Sequence, residues 1–368
     1  MTTAQNLVEL DQEQALYLGK FFIRSNQNLF LFGRRGTGKS AIAMQAAQAC
    51  KMKINYINLS VVERCDLAGF PNIHEQSDVV SFKSPAFLPL LKDKTKPDSI
   101  LLFDEVDKAP PEITAPLLEI LQFRKINGKP INAAACILTG NLANEGTYSN
   151  SISTALLDRG AKFILSFNFE KWLEWGRTNG VHDLILGFLQ SNPELACGDI
   201  EDTRYASPSP RAWTLASESL IKANDFKITD IETVIQIISG YVGGEAGLKF
   251  RMWYEYYRKF ETFVHSLIER GTMALDFDQL MPTEKLIFVV GACHYAKQKI
   301  VAERGKNKCL YLDNLCSFFK ASKVEKEMQV IALHNSFPFD FIAKMKLYEC
   351  QAFFEHFNGL NEGVVFKK

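Results

Sequence analysis

The segment Gly33–Ser40, which reads GRRGTGKS, constrains the fold of this chain more than any other stretch. It follows the apolar run Leu29–Phe32, typical of a buried strand, and precedes Ala41–Ala47, which is rich in helix formers. A glycine-rich turn in this position directs backbone N–H groups and the positive end of the helix dipole toward one anion. An incidental turn would not explain the flanking strand and helix. The spacing predicts a triphosphate-binding loop formed by Gly33, Gly36, Thr37, Gly38, Lys39 and Ser40, with Lys39 on the β- and γ-phosphates and Ser40 on Mg²⁺.

Size and charge limit the class of protein. At 368 residues the chain exceeds the size at which one core stops growing, so we expect two or more domains. Lys plus Arg and Asp plus Glu each number 42, so no overall field attracts nucleic acid or an anionic membrane. Apolar runs such as Leu286–Val290 are too short to span a bilayer, and the polar start lacks a signal-peptide pattern. We expect a cytoplasmic protein whose eight scattered cysteines are reduced and mostly buried.

The first half of the chain alternates apolar runs with helical patterns. Continuous apolar strands separated by helices indicate a parallel sheet with helices on both faces. After about Glu170 strand-like runs nearly disappear, and breaks such as Asn192-Pro193 separate helices. The predicted fold class is α/β, with a five-stranded parallel core followed by a mostly helical half. The five predicted strands are Leu29–Phe32, Ile54–Leu59, Ser99–Phe103, Ala135–Thr139 and Phe163–Phe167.

Two adjacent carboxylates follow the third predicted strand. Asp104 and Glu105 come directly after Ile100–Phe103, at the carboxyl end of a strand, where ligands of parallel sheets bind. Asp104 is therefore a candidate Mg²⁺ ligand, and Glu105 a candidate base that orients and deprotonates an attacking water. This pair favours hydrolysis over phosphate transfer to a second substrate. The alternative is an acidic helix N-terminus with no catalytic role.

Together these motifs resemble the AAA+ ATPases, and within them the MoxR-like group of the dynein-related branch. The resemblance extends from Gly33 to about Arg211. Val106–Glu112, which reads VDKAPPE, is similar to the segment that follows the hydrolytic pair in this group, and Asp66–Pro71 to one flanking its helix-2 insert. The resemblance implies a P-loop AAA+ core over residues 1–170, an all-α lid over 171–260, and a further helical region of unknown role over 261–368.

The resemblance also implies roles for three polar residues. Asn141 is similar to the sensor-1 residue that positions water or contacts the γ-phosphate, although an asparagine there also suits a helix cap. Arg159 is similar to the arginine finger that enters the neighbouring subunit's site, and an ion pair with Asp158 is the alternative. Gly160 follows it where relatives often have an aromatic residue. Arg211 after Pro210 is similar to sensor 2, or is a solvated arginine at a helix end.

For function, the resemblance implies a Mg²⁺-dependent ATPase that forms a ring, a hexamer by analogy, and remodels or matures a protein partner. In this group the partner often carries a von Willebrand factor A domain. Two other readings stay open: a nucleic-acid motor of the restriction-subunit kind, stimulated by DNA or RNA and sensitive to salt, and a slow nucleotide-gated assembly scaffold. The sequence alone does not choose the partner or distinguish ATP from GTP.

Overall fold

The computed structural model describes residues 7–73, 80–85, 87–91, 96–142, 152–198, 206–225 and 230–360. The chain divides into two compact units, residues Met1–Lys171 and Trp172–Lys368. The first unit holds every strand of the described residues, and the second is helical. The separate boundary near residue 260 between a lid and a C-terminal region stays a prediction, and residues 361–368 lie outside the described part.

The first unit has an α/β fold. Its elements, in chain order, are β1 (Val8–Leu10), α1 (Gln12–Arg24), β2 (Leu29–Gly33), α2 (Lys39–Ala49), β3 (Lys53–Asn58), α3 (Arg64–Ala68), β4 (Phe70–Asn72), β5 (Ser81–Lys83), β6 (Ser99–Asp104), α4 (Thr114–Phe123), β7 (Lys125–Ile126), β8 (Lys129–Pro130), β9 (Ala135–Gly140), α5 (Thr154–Leu157) and β10 (Ala161–Leu165). The central sheet has the order β1-β10-β2-β9-β6-β3, and all its pairings are parallel.

The sheet has six strands, so the predicted number of five is wrong. All five predicted strands are present, within two residues of the expected ends. The sixth, β1, is a three-residue edge strand that pairs with β10, with Val8 opposite Phe163. A run this short shows no clear alternation in the sequence, because its strand conformation comes from the ladder with β10 rather than from its own residues.

Helices cover both faces of the sheet, as the sequence predicted. Alternate residues of a strand point to opposite faces. On one face, Leu101 and Phe103 of β6 share a buried core with α4. On the other face, Ile100 and Leu102 pack with α1 and α2. The sheet is therefore the middle layer of three, and only the ends of its strands are left for a ligand.

Two small hairpins extend from this core. β4 pairs antiparallel with β5 between Gly69 and Leu90, and residues 74–79, which connect them, lie outside the described part. β7 pairs with β8 through Asn127 and Gly128, whose φ angles of 49° and 73° are those that a tight hairpin turn requires. The Lys129 ammonium donates to the Phe82 carbonyl oxygen at 2.6 Å and so joins the two hairpins.

The second unit packs around one long helix. Its helices are α6 (Phe169–Thr178, which begins in the first unit), α7 (Asp183–Ser191), α8 (Pro210–Asp225), α9 (Ile231–Val242), α10 (Gly244–Lys259), α11 (Glu261–Arg270), α12 (Pro282–Ala302), α13 (Lys308–Ala321), α14 (Lys326–Ser336), α15 (Phe339–Lys344) and α16 (Gln351–Leu360). α12 has 21 residues and contacts α7, α10, α11, α13 and α14. Among the described residues, none of the helices has the length and apolar character needed to cross a membrane.

A disulfide corrects the expectation that all cysteines are reduced. Cys309 at the start of α13 is bonded to Cys350, which precedes α16, across a sequence separation of 41 residues. The six other cysteines, all within the described ranges, are free thiols. The packing of α13 against α16 brings the two cysteines together. Their spacing in the sequence therefore did not predict that they form a pair.

Candidate nucleotide-binding site

The loop between β2 and α2 has the backbone of an anion cradle. Gly36 and Gly38 adopt φ angles of 78° and 95°, which side chains with a Cβ rarely allow. Gly38 is the N-cap of α2, so no side chain competes for the N–H groups of the first helical turn. A Cβ on Gly33 would lie 2.6 Å from the Leu165 carbonyl oxygen. Glycine is therefore needed at all three positions for the loop to keep this shape.

Lys39 ties the loop to the neighbouring strand. Its side chain is buried, and its ammonium donates to the carbonyl oxygens of Gly33 at 2.7 Å and Arg34 at 2.8 Å. It also donates to Asn141 Oδ1 at 3.1 Å, beyond the end of β9. These three oxygens hold the Lys39 ammonium against the loop.

The Asp104 carboxylate accepts hydrogen bonds from several groups of the site. Its Oδ2 accepts from Ser40 Oγ at 2.9 Å and from the Tyr56 hydroxyl at 3.0 Å. Its Oδ1 accepts from the Glu105 N–H at 3.0 Å and from the Thr139 hydroxyl. A carboxylate beside a serine hydroxyl offers the hard oxygen donors that Mg²⁺ prefers. The donor set therefore fits a magnesium ion held by Ser40 and Asp104.

Glu105 has a strained backbone and a paired side chain. Its φ of 58° and ψ of 42° lie in the left-handed region, which is uncommon for a residue with a side chain and concentrates at functional sites. Its carboxylate accepts from the Lys108 ammonium at 2.8 Å, and both side chains are about one-third exposed. Partial burial raises the pKa of Glu105, but hydrogen bonds from Lys108 and Ser60 outweigh it, so the pKa lies below the ordinary 4.5. The carboxylate is therefore ionised at neutral pH.

Removing the lysine partner should move the acid limb of any activity that depends on Glu105. Because the Lys108 contact lowers the pKa of Glu105, Lys108→Ala is expected to raise that pKa, and activity should then be lost at a higher pH on acidification. The pH profile of kcat measures this shift. Lys108→Arg, which keeps a cation at the position, is the control. An unchanged acid limb in Lys108→Ala would show that Glu105 does not govern it.

Asn141 is held by a buried carboxylate that the sequence did not single out. Asp107 is 2% exposed, and its Oδ1 accepts from the Asn141 N–H at 2.9 Å. Its Oδ2 accepts from the Asn141 side-chain amide at 3.4 Å. Since Asn141 Oδ1 faces Lys39 and its Nδ2 faces Asp107, the orientation of the amide is fixed.

Of the two predicted arginines, Arg159 lies at the opposite edge of the first unit's sheet, and Arg211 belongs to the second unit. The register pairs Ala161 with Leu29 and Leu165 with Gly33, so Arg159 lies at the amino ends of the strands and the loop at their carboxyl ends. Its Nε donates to Gln122 Oε1 at 3.2 Å. Arg211 is exposed at the start of α8 in the second unit, where Ser209 Oγ accepts from the Ala212 N–H at 3.1 Å. Its sensor-2 role stays a prediction.

Sequence reasoning missed four residues of the site: Tyr56, Asp107, Lys108 and Thr139. Asp107 and Lys108 lie in the VDKAPPE segment, which was noted but not assigned. Thr139 is in β9, the strand that leads to Asn141. Its place near the carboxyl end of this strand could have predicted that it belongs to the site. Tyr56 reaches Asp104 from β3, which lies next to β6 in the sheet, so only the strand register reveals it.

Residues 28–159 match the family model of the AAA domain (dynein-related subfamily). This segment is similar to the AAA domains of that subfamily. It covers about a third of the chain and contains the loop, Asp104, Glu105, Asn141 and Arg159. A protein of Staphylococcus epidermidis (strain ATCC 12228 / FDA PCI 1200), described as uncharacterized, is 30% identical over 136 residues. That match covers 34% of this chain and 50% of the relative, so the chain spans half the length of the curated protein it matches.

Two solved structures also match the chain at low similarity. A RuvB variant from Thermotoga maritima is 15% identical, with a TM-score of 0.32, and the match covers 90% of this chain and 85% of the other. A candidate ATPase from Cytophaga hutchinsonii ATCC 33406 is 14% identical, with a TM-score of 0.31 and coverage of 97% and 90%. At these TM-scores the overlaps carry no argument about this chain.

Proposed function

We propose that this chain is a Mg²⁺-dependent ATPase. The observation that carries the proposal is the convergence of Lys39, Ser40 and Asp104 at the carboxyl edge of the AAA domain's parallel sheet. The loop N–H groups and Lys39 would hold the triphosphate, and Ser40 and Asp104 the metal. When bound, Mg²⁺ supplies charge neutralisation at the phosphate oxygens. The hydroxyls of Tyr56 and Thr139 keep Asp104 oriented toward that position.

Hydrolysis in this proposal depends on Glu105 and Asn141. Glu105 is ionised and one residue beyond Asp104, so it can orient a water molecule and accept its proton. Asn141 can donate to that water or to the terminal phosphate through its amide, which Asp107 holds in place. Arg211 would contact the γ-phosphate as sensor 2.

The position of Arg159 supports a site shared between subunits. The four residue-to-residue steps from Leu29 to Gly33 separate the two edges of the sheet by about 13 Å. An arginine fixed at the far edge therefore serves a neighbour's nucleotide better than its own. A contact in which each subunit supplies a finger to the next is heterologous, and closure of such contacts gives a ring. We propose a homo-oligomeric ring, with a hexamer as the expected size.

The role that we propose for ATP hydrolysis is based on the resemblance to the MoxR-like group. We propose that the ring remodels or matures a protein partner, of which a protein with a von Willebrand factor A domain is the expected kind. A cytoplasmic location belongs to the same proposal. The Cys309–Cys350 disulfide weighs against that location, because the cytosol keeps most thiols reduced.

The test of nucleotide binding is Lys39→Ala. Loss of the ammonium should abolish both ATP turnover and the rise in melting temperature that Mg²⁺ and ATP give the unmodified protein, since ligand binding stabilises the folded state. Thermal denaturation with and without nucleotide measures the binding directly. Lys222→Ala, which removes an exposed helical lysine, is the control. Full stabilisation of Lys39→Ala by ATP would contradict the assignment of the loop.

A further inference from the structure

We propose that Asn28 and Gln122 are positioning residues for Arg159, and that Arg124 holds Asn28 in place. Together Asn28, Gln122 and Arg124 form what we name the finger bracket. The inference rests on the proposed shared site, because it concerns how this chain presents Arg159 to a neighbour. It goes further by assigning a role to three residues that the loop and the hydrolytic pair do not use.

Asn28 holds the backbone of Arg159. It directly precedes β2 and is 6% exposed. Its side-chain amide donates to the Arg159 carbonyl oxygen at 2.7 Å and to the Leu121 carbonyl oxygen at 3.0 Å. A buried amide with its donors paired is costly to displace, because each broken bond leaves an unsatisfied polar group. Arg159 is therefore fixed relative to the strand that leads into the phosphate loop.

Arg124 fixes the orientation of the Asn28 amide. Its guanidinium donates to Asn28 Oδ1, so a flipped amide would place two donors face to face. The same guanidinium donates to the carbonyl oxygens of Ile120 at 3.2 Å and Leu121 at 2.6 Å, in the last turn of α4. Arg124 thus caps α4 and connects its end to Asn28.

Gly160 allows Asn28 to approach the backbone beside the finger. A Cβ at position 160 would lie 2.8 Å from the Asn28 carbonyl oxygen and 2.9 Å from the Asn28 Cβ. Backbone oxygens cannot yield in the way a flexible side chain does. A residue with a side chain at this position is therefore incompatible with the Asn28 contact.

Gln122 orients the guanidinium of Arg159. Its Oε1 accepts from Arg159 Nε at 3.2 Å, and both residues line a groove of about 350 Å³ at the amino edge of the sheet. A bond at Nε restricts the plane of the guanidinium without using its two terminal nitrogens. Those nitrogens are the groups that a finger directs at a phosphate.

The test compares Arg159→Ala with variants of the full chain that disturb the finger bracket or its contact with position 160. Gln122→Ala, at an exposed position, and Gly160→Ala are expected to lower kcat by about 10- to 100-fold, since a misplacement near 1 Å can cost 10²-fold. KM for ATP should stay unchanged because the phosphate-binding loop of each variant subunit is intact. Gln122→Glu keeps an acceptor for Nε and should restore most of kcat. Gln48→Ala, an exposed glutamine on α2, is the matched control.

Mixing subunits distinguishes positioning from general damage. Lys39→Ala subunits have an inactive loop and an intact finger, so mixing them with Gln122→Ala subunits should raise the rate per intact loop. Mixing Gln122→Ala with Arg159→Ala should not. Failure of the first mixture to raise the rate places the defect in the variant's own site and overturns the proposal.

The remaining outcomes separate the two proposals. If Arg159→Ala loses activity while Gln122→Ala and Gly160→Ala keep the full kcat, the finger bracket is wrong and the shared site stands. If Arg159→Ala also keeps the full kcat, the shared site is wrong and the finger bracket with it.

Discussion

Arg159→Ala is expected to lower ATP turnover by about 10³- to 10⁵-fold, the range that fingers contribute in GTPases. The physical reason is that the guanidinium neutralises charge that develops on the γ-phosphate only in the transition state, so kcat falls while ATP binding is retained. Steady-state hydrolysis together with nucleotide-dependent melting separates these two quantities. Arg159→Lys should recover little, because a point charge lacks the forked donors.

The position of Arg159 makes this prediction specific to an assembled protein. Since Arg159 lies at the amino edge of the sheet, dilution that dissociates the ring should also reduce the rate of the unmodified chain. Arg24→Ala, an exposed arginine at the end of α1, is the control. A full rate per subunit in a demonstrated monomer would show that Arg159 is not a finger in trans.

Glu105→Gln is expected to reduce hydrolysis by about 10²- to 10⁴-fold, the contribution typical of a positioned general base. The amide keeps the size of the side chain but cannot take a proton from water. Ser40, Asp104 and the loop are untouched, so ATP should still raise the melting temperature as in the unmodified protein. Glu112→Gln, an exposed residue of the same segment, is the control. Unreduced turnover in Glu105→Gln would place the base elsewhere.

The same variant separates a remodelling ATPase from a slow scaffold. With ATP bound and hydrolysis blocked, a remodelling ring should retain its partner, and purification in ATP should yield a second chain. A scaffold that works through binding alone should keep its partner function in Glu105→Gln. Stimulation of the unmodified protein by DNA or RNA, lost steeply with salt, would instead favour a nucleic-acid motor.

The sequence was sufficient to predict the three layers of the first unit and the polar residues that follow its strands. Buried parallel strands are continuous apolar runs, and a residue directly after such a run lies at a known edge of the sheet, which is why Asp104 and Asn141 could be placed. Lys39 and Ser40 followed from a motif with a fixed backbone geometry.

What the sequence could not supply depends on contacts between distant segments. β1 is a strand only because β10 pairs with it, and Tyr56 reaches Asp104 only through the register of β3 with β6. Asn28 is an unremarkable polar residue until the fold brings Leu121 and Arg159 to it. The Cys309–Cys350 bond likewise joins residues whose spacing carries no signal.

β2 has five residues, all of them buried. Asn28 precedes it and the phosphate loop follows it, so in a ring its two ends would belong to two different active sites. A packing defect in the middle of β2, at Leu31 for example, would then impair the subunit's own nucleotide and its neighbour's together. No partner subunit could compensate for such a defect, and a genetic screen would record it as dominant rather than as a simple loss.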